Sequence, residues 1–247
     1  MQPCFEQNVY QATLSAHRPC PAQANQPATQ IPFLLFLPVF PLTLAEMELL
    51  LQQPTADLAA MAEVAKRDAS LAAQLLLLAN SDREESDRFY RLEDCLVQLG
   101  TGVLQGLVQQ MPPLILSDLQ YGALLHHSLL TARTAEAIAL QVPGVDPEKA
   151  YLAGLLHLFP ELVSLRGRVL DSPPAIVSES GHWSLPAFTW EVIHWFKHPF
   201  AVSGQGNRLC EVVLAACDWA TQSEVPAWPS SPQRVSGYQA HRLLTRT

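Results

Sequence analysis

RDASLAAQLLLLAN, residues 67–80, decides the fold class. Asp68 or Ser70 offers a side-chain oxygen to the free backbone N–H groups of a helix start. From there Leu71, Leu75 and Leu78 line one face, while Leu76, Leu77 and Ala79 cover others. A helix that is apolar all round is stable only inside a core. Asn80 follows as a helix-ending residue. Such a helix needs other helices laid against it, and the flanking sequence supplies them.

Upstream, IPFLLFLPVF at 31–40 is too short to cross a bilayer and is broken by Pro32 and Pro38, so it reads as an extended lead-in packed on the core. Thr43-Leu44-Ala45-Glu46 fits a capping box opening a helix to about Gln53. After Pro54, Thr55 is placed to cap a second helix whose Leu58, Met61, Ala62 and Ala65 form a stripe at i, i+3, i+4 and i+7. Downstream, Leu92, Cys95, Leu96 and Leu99 make an amphipathic segment stopped by Gly100, and another runs from Val103 to Met111 before Pro112 and Pro113. A long helix is predicted over roughly 118–141. Asp146-Pro147 caps and opens the next, to about Leu158, and later helices cover Pro186 to Lys197 and Leu209 to Thr221. No strand or hairpin signal competes. The expected fold is all-α and multi-helical: a helical domain over 31–222, an irregular tail over 1–30 and a proline-rich tail over 223–247.

Composition narrows the function. Of 247 residues 49% are hydrophobic, enough for a sizeable core. Fifteen Lys and Arg against 23 Asp and Glu leave a formal net charge of -8. That balance lacks the basic footprint that counterion release from nucleic acid requires, and it is unsuited to an anionic membrane surface. No signal-peptide pattern opens the chain. The five cysteines, Cys4, Cys20, Cys95, Cys210 and Cys217, form no CxxC pair, so the expectation is reduced thiols in a cytoplasmic protein; Cys210 and Cys217, seven apart on one helical face, read as small buried hydrophobes. Phosphate-binding glycine loops, HExxH and GxSxG are all missing.

Several blocks, in order, resemble the HDOD (HD-related output domain) family, relatives of the HD metal-dependent phosphohydrolases. FLPVFP at 36–41 is similar to the family's Leu-Pro-x-x-Pro start, TADLAAMAEVAKRDASLAAQLLLLANS at 55–81 to its most distinctive helix pair, and RLEDCLVQLG at 91–100 to the block that follows. HHSLLTARTAEAIA at 126–139, EKAYLAGLLH at 148–157 and SLPAFTWEVIHW at 184–195 keep the family's order. In HD enzymes a helix His, a His-Asp doublet and a later Asp hold metal, because cations on a phosphate ester need carboxylate as well as imidazole. The matching positions are His127, His157, Leu158 and Asp218: the doublet's aspartate is a leucine. The family's later His-His pair falls near Phe196 and Lys197, with His194 and His198 flanking it.

The resemblance implies a fold that keeps its shape without the HD chemistry: no catalytic residue, no metal or other cofactor, and His127, His157 and Asp218 as relics of a metal site. His157 shares a helix face with Ala150, Ala153 and Gly154, small residues that admit another helix, and reads as a buried structural histidine. His126 and His127 point about 100° apart, so at most one faces a shared site. The acidic loop with Asp82, Glu84 and Glu85, together with Trp183 and Trp190, forms the candidate interaction surface. A solvated loop and core-packed tryptophans are the plainer readings. The expected function is a regulatory module in bacterial signal transduction acting in trans on another signalling protein, without nucleic acid or membrane insertion. The competing class is a phosphohydrolase or phosphodiesterase with an altered site of His127, His157 and Asp218.

Overall fold

The computed structural model describes residues 37–55, 57–115, 119–169, 184–197 and 207–223. The expected tails, 1–30 and 224–247, lie outside them, as do residues 31–36 of the lead-in; Ser223 itself closes the last helix. The helices are α1 (Pro41–Leu51), α2 (Leu58–Lys66), α3 (Ala69–Ala79), α4 (Leu92–Gln110), α5 (Leu119–Ala139), α6 (Pro147–Leu156), α7 (Phe159–Val169), α8 (Ala187–Lys197) and α9 (Arg208–Ser223). Among the described residues there is no strand, only an isolated parallel bridge between Val39 and Pro113. None of the described helices is long and apolar enough to cross a membrane.

The core grows around α3. Ala69 to Leu76 and Ala79 are buried, leaving only Leu77 and Leu78 partly accessible. Its N-cap is Asp68, whose Oδ1 accepts from the N–H groups of Ser70 (2.9 Å) and Leu71 (3.2 Å). Its Oδ2 accepts from Phe40 N–H at 2.8 Å, 28 residues upstream. The lead-in is therefore tied to the helix start through one carboxylate, and to the exit of α4 through Val39 N–H to Pro112 O (3.0 Å) and Leu114 N–H to Val39 O (2.8 Å). Leu37 and Val39 are completely buried. At the other end Asn80 clasps the following loop, donating to Phe89 O (3.0 Å) and accepting from Phe89 N–H (2.8 Å).

Two predicted helix starts differ. α1 begins at Pro41 rather than at a Thr43 capping box; Thr43 is buried inside the helix, because proline at the first turn has no N–H to leave unsatisfied and its φ is already helical. α2 is capped by Asp57, which accepts from Ala60 N–H at 2.9 Å, not by Thr55. The Asp146 cap of α6 is as expected, accepting from Glu148 and Lys149. Gly100 has φ 72° and ψ 161°, a conformation that glycine alone tolerates, and it kinks α4 where the sequence places a helix stop.

The second half is organised by α5, which packs most extensively on α6 and α9. A small-residue core of Ala135, Ala139, Ala150, Ala153, Val213 and Ala216 lies among them. Gly154 is the point of closest approach: a Cβ there would lie 2.9 Å from Ala132 Cα, 3.1 Å from Ala132 N and 3.2 Å from Thr131 C. The buried Ser70 and Tyr121 hydroxyls, 2.8 Å apart, join α3 to α5.

Two outcomes are expected. Asp68→Ala should lose about 2–4 kcal/mol in urea unfolding, since it removes a helix cap and leaves the part-buried Phe40 N–H without its acceptor. Burial pushes the Asp68 carboxyl from 3.8 up to about 6, against the opposing pull of its Phe40, Leu71 and Ser70 donors. The native state therefore takes up this proton before the unfolded chain does as pH falls, so the carboxyl's contribution is full below pH 3.8 and is lost as pH rises through about 6. The stability difference between wild type and Asp68→Asn should accordingly move in favour of wild type between pH 7 and pH 4. Gly154→Ala, whose methyl meets backbone rather than a yielding side chain, should cost about 1–3 kcal/mol by forcing α5 and α6 apart.

Candidate functional site

Three helices deliver the site. On α5, Tyr121, Leu125, Ser128, Ala132, Ala135 and Ala139 form the buried stripe. His127, one residue from Ser128, turns inward and is 4% exposed, whereas His126, about 100° round the helix, is exposed. Of the adjacent pair only His127 reaches the site.

α6 ends at Leu156, with His157 as its C-cap at φ −60° and ψ −27°. Pro160 cannot continue a hydrogen-bonded ladder, so α7 starts afresh at Phe159, and the completely buried Phe159 ring anchors the corner. His157 is thereby fixed at a helix terminus, 2% exposed. Its Nδ1 lies 2.7 Å from the Gly154 carbonyl oxygen. A carbonyl only accepts, so Nδ1 carries the proton and the Nε2 lone pair is left without a protein hydrogen-bond partner. Burial, and then the facing His127 ring, hold the imidazole down to about 3, with the Gly154 carbonyl pulling weakly the other way. Burial therefore favours the neutral form of this imidazole.

The two imidazole rings face each other with centroids 5.5 Å apart. α9 contributes Cys217, whose Sγ is 3.4 Å from His127 Nε2. Ligand atoms of His127, His157 and Cys217 all lie within 4.8 Å of one another. From α8, Phe196 packs on His157 at a ring-centroid distance of 5.2 Å, so an aromatic ring stands where the family resemblance implied a pair of histidines; His194 is exposed.

Asp218 is not in this group. It is half-buried on α9, and burial raises its carboxyl above the ordinary carboxylate range. One residue on an α-helix is about 100°, and that rotation presents Cys217 to the histidines instead. Cys217 is the residue that sequence reasoning missed. The signal was the inward stripe of α9: Cys210, Val213 and Ala220 are buried, and position 217 continues that line.

The candidate interaction residues fall elsewhere. Asp82, Glu84 and Glu85 are exposed in a loop with a 3₁₀ turn at Glu85–Asp87. Arg83 stacks on Phe89 at 3.7 Å and donates to Asp87 O, and Arg88 donates to Leu185 O at 2.9 Å, so the loop's bases hold it to the body while its acids face water. Trp190 is half-buried against the main core, and Trp183 lies outside the described residues. A separate charged cleft, lined by Lys66, Arg133, Glu136, Glu148 and Tyr151, shares no residue with the histidine cluster.

These donors do not fit the two-cation centre of an HD phosphohydrolase. Hard cations bridging a phosphate require carboxylate oxygen. The cluster offers two nitrogens and a sulfur, and Leu158 stands next to His157 where the doublet's carboxylate belongs.

A family model described as the HDOD domain matches residues 37–177 of the 247. No curated protein matches the chain. The fold is similar to the crystal structure of a fragment, 20–298, of the response regulator MmoQ from Methylococcus capsulatus str. Bath: the TM-score is 0.54 at 18% identity, covering 77% of this chain and 87% of that one. With the match extending over more than half of its length, through α1 to α7 and the corner that positions His157, the chain belongs to the HDOD domain family.

Proposed function

We propose that this protein is a non-catalytic regulatory module of bacterial signal transduction that acts in the cytoplasm by binding another signalling protein. The observation that carries the reading is the donor set: a doublet without its carboxylate, Leu158 after His157, beside a cluster to which the described residues contribute no carboxylate. Membership of the HDOD family and similarity of fold to a response regulator fragment support a role in signalling. The acidic net charge and the exposed Asp82, Glu84 and Glu85 suit a partner with a basic face.

The competing phosphohydrolase reading needs His127, His157 and Asp218 on one ion, and Asp218 is not grouped with the histidines. The decisive experiment is an assay of the full chain against aryl phosphates and cyclic nucleotides with Mn²⁺, Fe²⁺, Ni²⁺ and Zn²⁺ in turn. Wild type should hydrolyse none of them faster than His157→Ala does. Metal-dependent turnover that disappears in His157→Ala would overturn the non-catalytic reading. Replacing Asp82, Glu84 and Glu85 together by lysine should leave stability within about 0.5 kcal/mol, as these side chains are exposed. It should also weaken partner binding in a salt-dependent manner.

A further inference from the structure

The cluster that is unsuited to two hard cations has the composition of a different kind of site. Imidazole nitrogen and thiolate sulfur together favour a single borderline-soft ion, with zinc(II) the common case. Three elements distant in sequence supply the donors: α5 at 127, the end of α6 at 157 and α9 at 217.

Geometry supports binding beyond mere proximity. With Zn–N about 2.0–2.1 Å and Zn–S about 2.3 Å, the N···S edge of a tetrahedral site is about 3.5 Å. His127 Nε2 and Cys217 Sγ, a hydrogen-bonded pair, are 3.4 Å apart, a separation close to that edge. His157 shows the arrangement that metal-bound histidines use: one ring nitrogen donates to a backbone carbonyl, which fixes the tautomer and aims the other nitrogen's lone pair. Here Nδ1 donates to Gly154 O, and Nε2, in a residue 2% exposed, is a buried polar atom with no protein hydrogen-bond partner. Cys217, half-buried, leaves a route for an ion to enter.

From this geometry we infer that His127, His157 and Cys217 form a mononuclear zinc(II) site with one coordination position left to solvent. Binding exchanges the thiol proton for the metal, so the ion adds one net positive charge to the cluster and a proton is released to water. The ion would cross-link α5, the α6 terminus and α9. This site does not depend on the absence of catalysis: hydrolytic activity would sink the regulatory reading and leave the zinc site standing.

The test uses the full chain, stripped with chelator and titrated with zinc chloride. Elemental analysis after desalting should find zinc in equimolar amount, and zinc should raise the melting temperature. Cobalt(II) in its place should give the near-ultraviolet charge-transfer absorption of a thiolate ligand. Cys217→Ser should abolish that absorption and weaken zinc binding by more than about tenfold, while Asp218→Asn should change neither. Should the cysteine variant fail to fold, wild-type protein gives the same answer. Saturating zinc should slow alkylation of Cys217, followed residue by residue in the mass spectrometer, with the buried Cys95 and Cys210 as internal references. Absence of equimolar zinc, an unaltered Cys217 labelling rate at saturating zinc, or binding that survives Cys217→Ser and is lost in Asp218→Asn would each overturn the assignment.

Discussion

One buried carboxylate holds two distant parts of this chain in register. Asp68 is the only Asp or Glu among the described residues that is buried, and it accepts three backbone N–H bonds, two from α3 and one from Phe40. Removing a carboxylate from water is costly unless donors replace the lost hydration, and backbone N–H groups at a helix start are well suited because they are already unsatisfied and aligned with the positive end of the helix dipole. The consequence reaches past the cap. With Phe40 fixed to α3, Val39 lies against Pro113 and Pro41 can open α1, so the path of the lead-in follows from where α3 begins.

The second constraint is one of size. α5 and α6 approach until no Cβ fits at Gly154 against the backbone of Thr131 and Ala132, and alanines line the core beside the contact. Close backbone approach sets the height at which the α6 terminus meets α5, and so the distance between the rings of His127 and His157. The same glycine lends its carbonyl to His157 Nδ1. A larger residue there would disturb packing and ring orientation together, which couples the site to the bundle without any long-range mechanism.

Much of this was legible in residue order. A helix apolar on every side, proline and glycine punctuation and the Asp146-Pro147 cap gave the all-α class and most element positions, because these signals are local and arise from backbone sterics and burial. Helix starts were less legible: a Thr43 capping box and a Thr55 cap were each chemically sound, yet Pro41 and Asp57 lay close by and tertiary contacts chose them. The burial of His127 against the exposure of His126 followed only once the stripe of α5 was known. The third member of the cluster was not legible from the family resemblance. Position 218 carries the residue type the resemblance called for, but facing depends on the rotation of α9 about its axis, which its packing on α5 decides.

That rotation also determines what chemistry is available. An aspartate aimed at the histidines would present hard oxygen donors; a cysteine in the same place presents one polarizable sulfur, and the preference moves from phosphate-bridging cation pairs toward a lone thiophilic ion. Phe196 acts in the same direction, because a ring packed on His157 occupies space beside the imidazole with a group that cannot ligate. Leu158, half-buried just past the helix terminus, withholds the last carboxylate. The departures from the HD pattern are therefore mutually consistent: each removes an oxygen or nitrogen donor that a second cation would need, and the donors that remain are those a single soft ion can use.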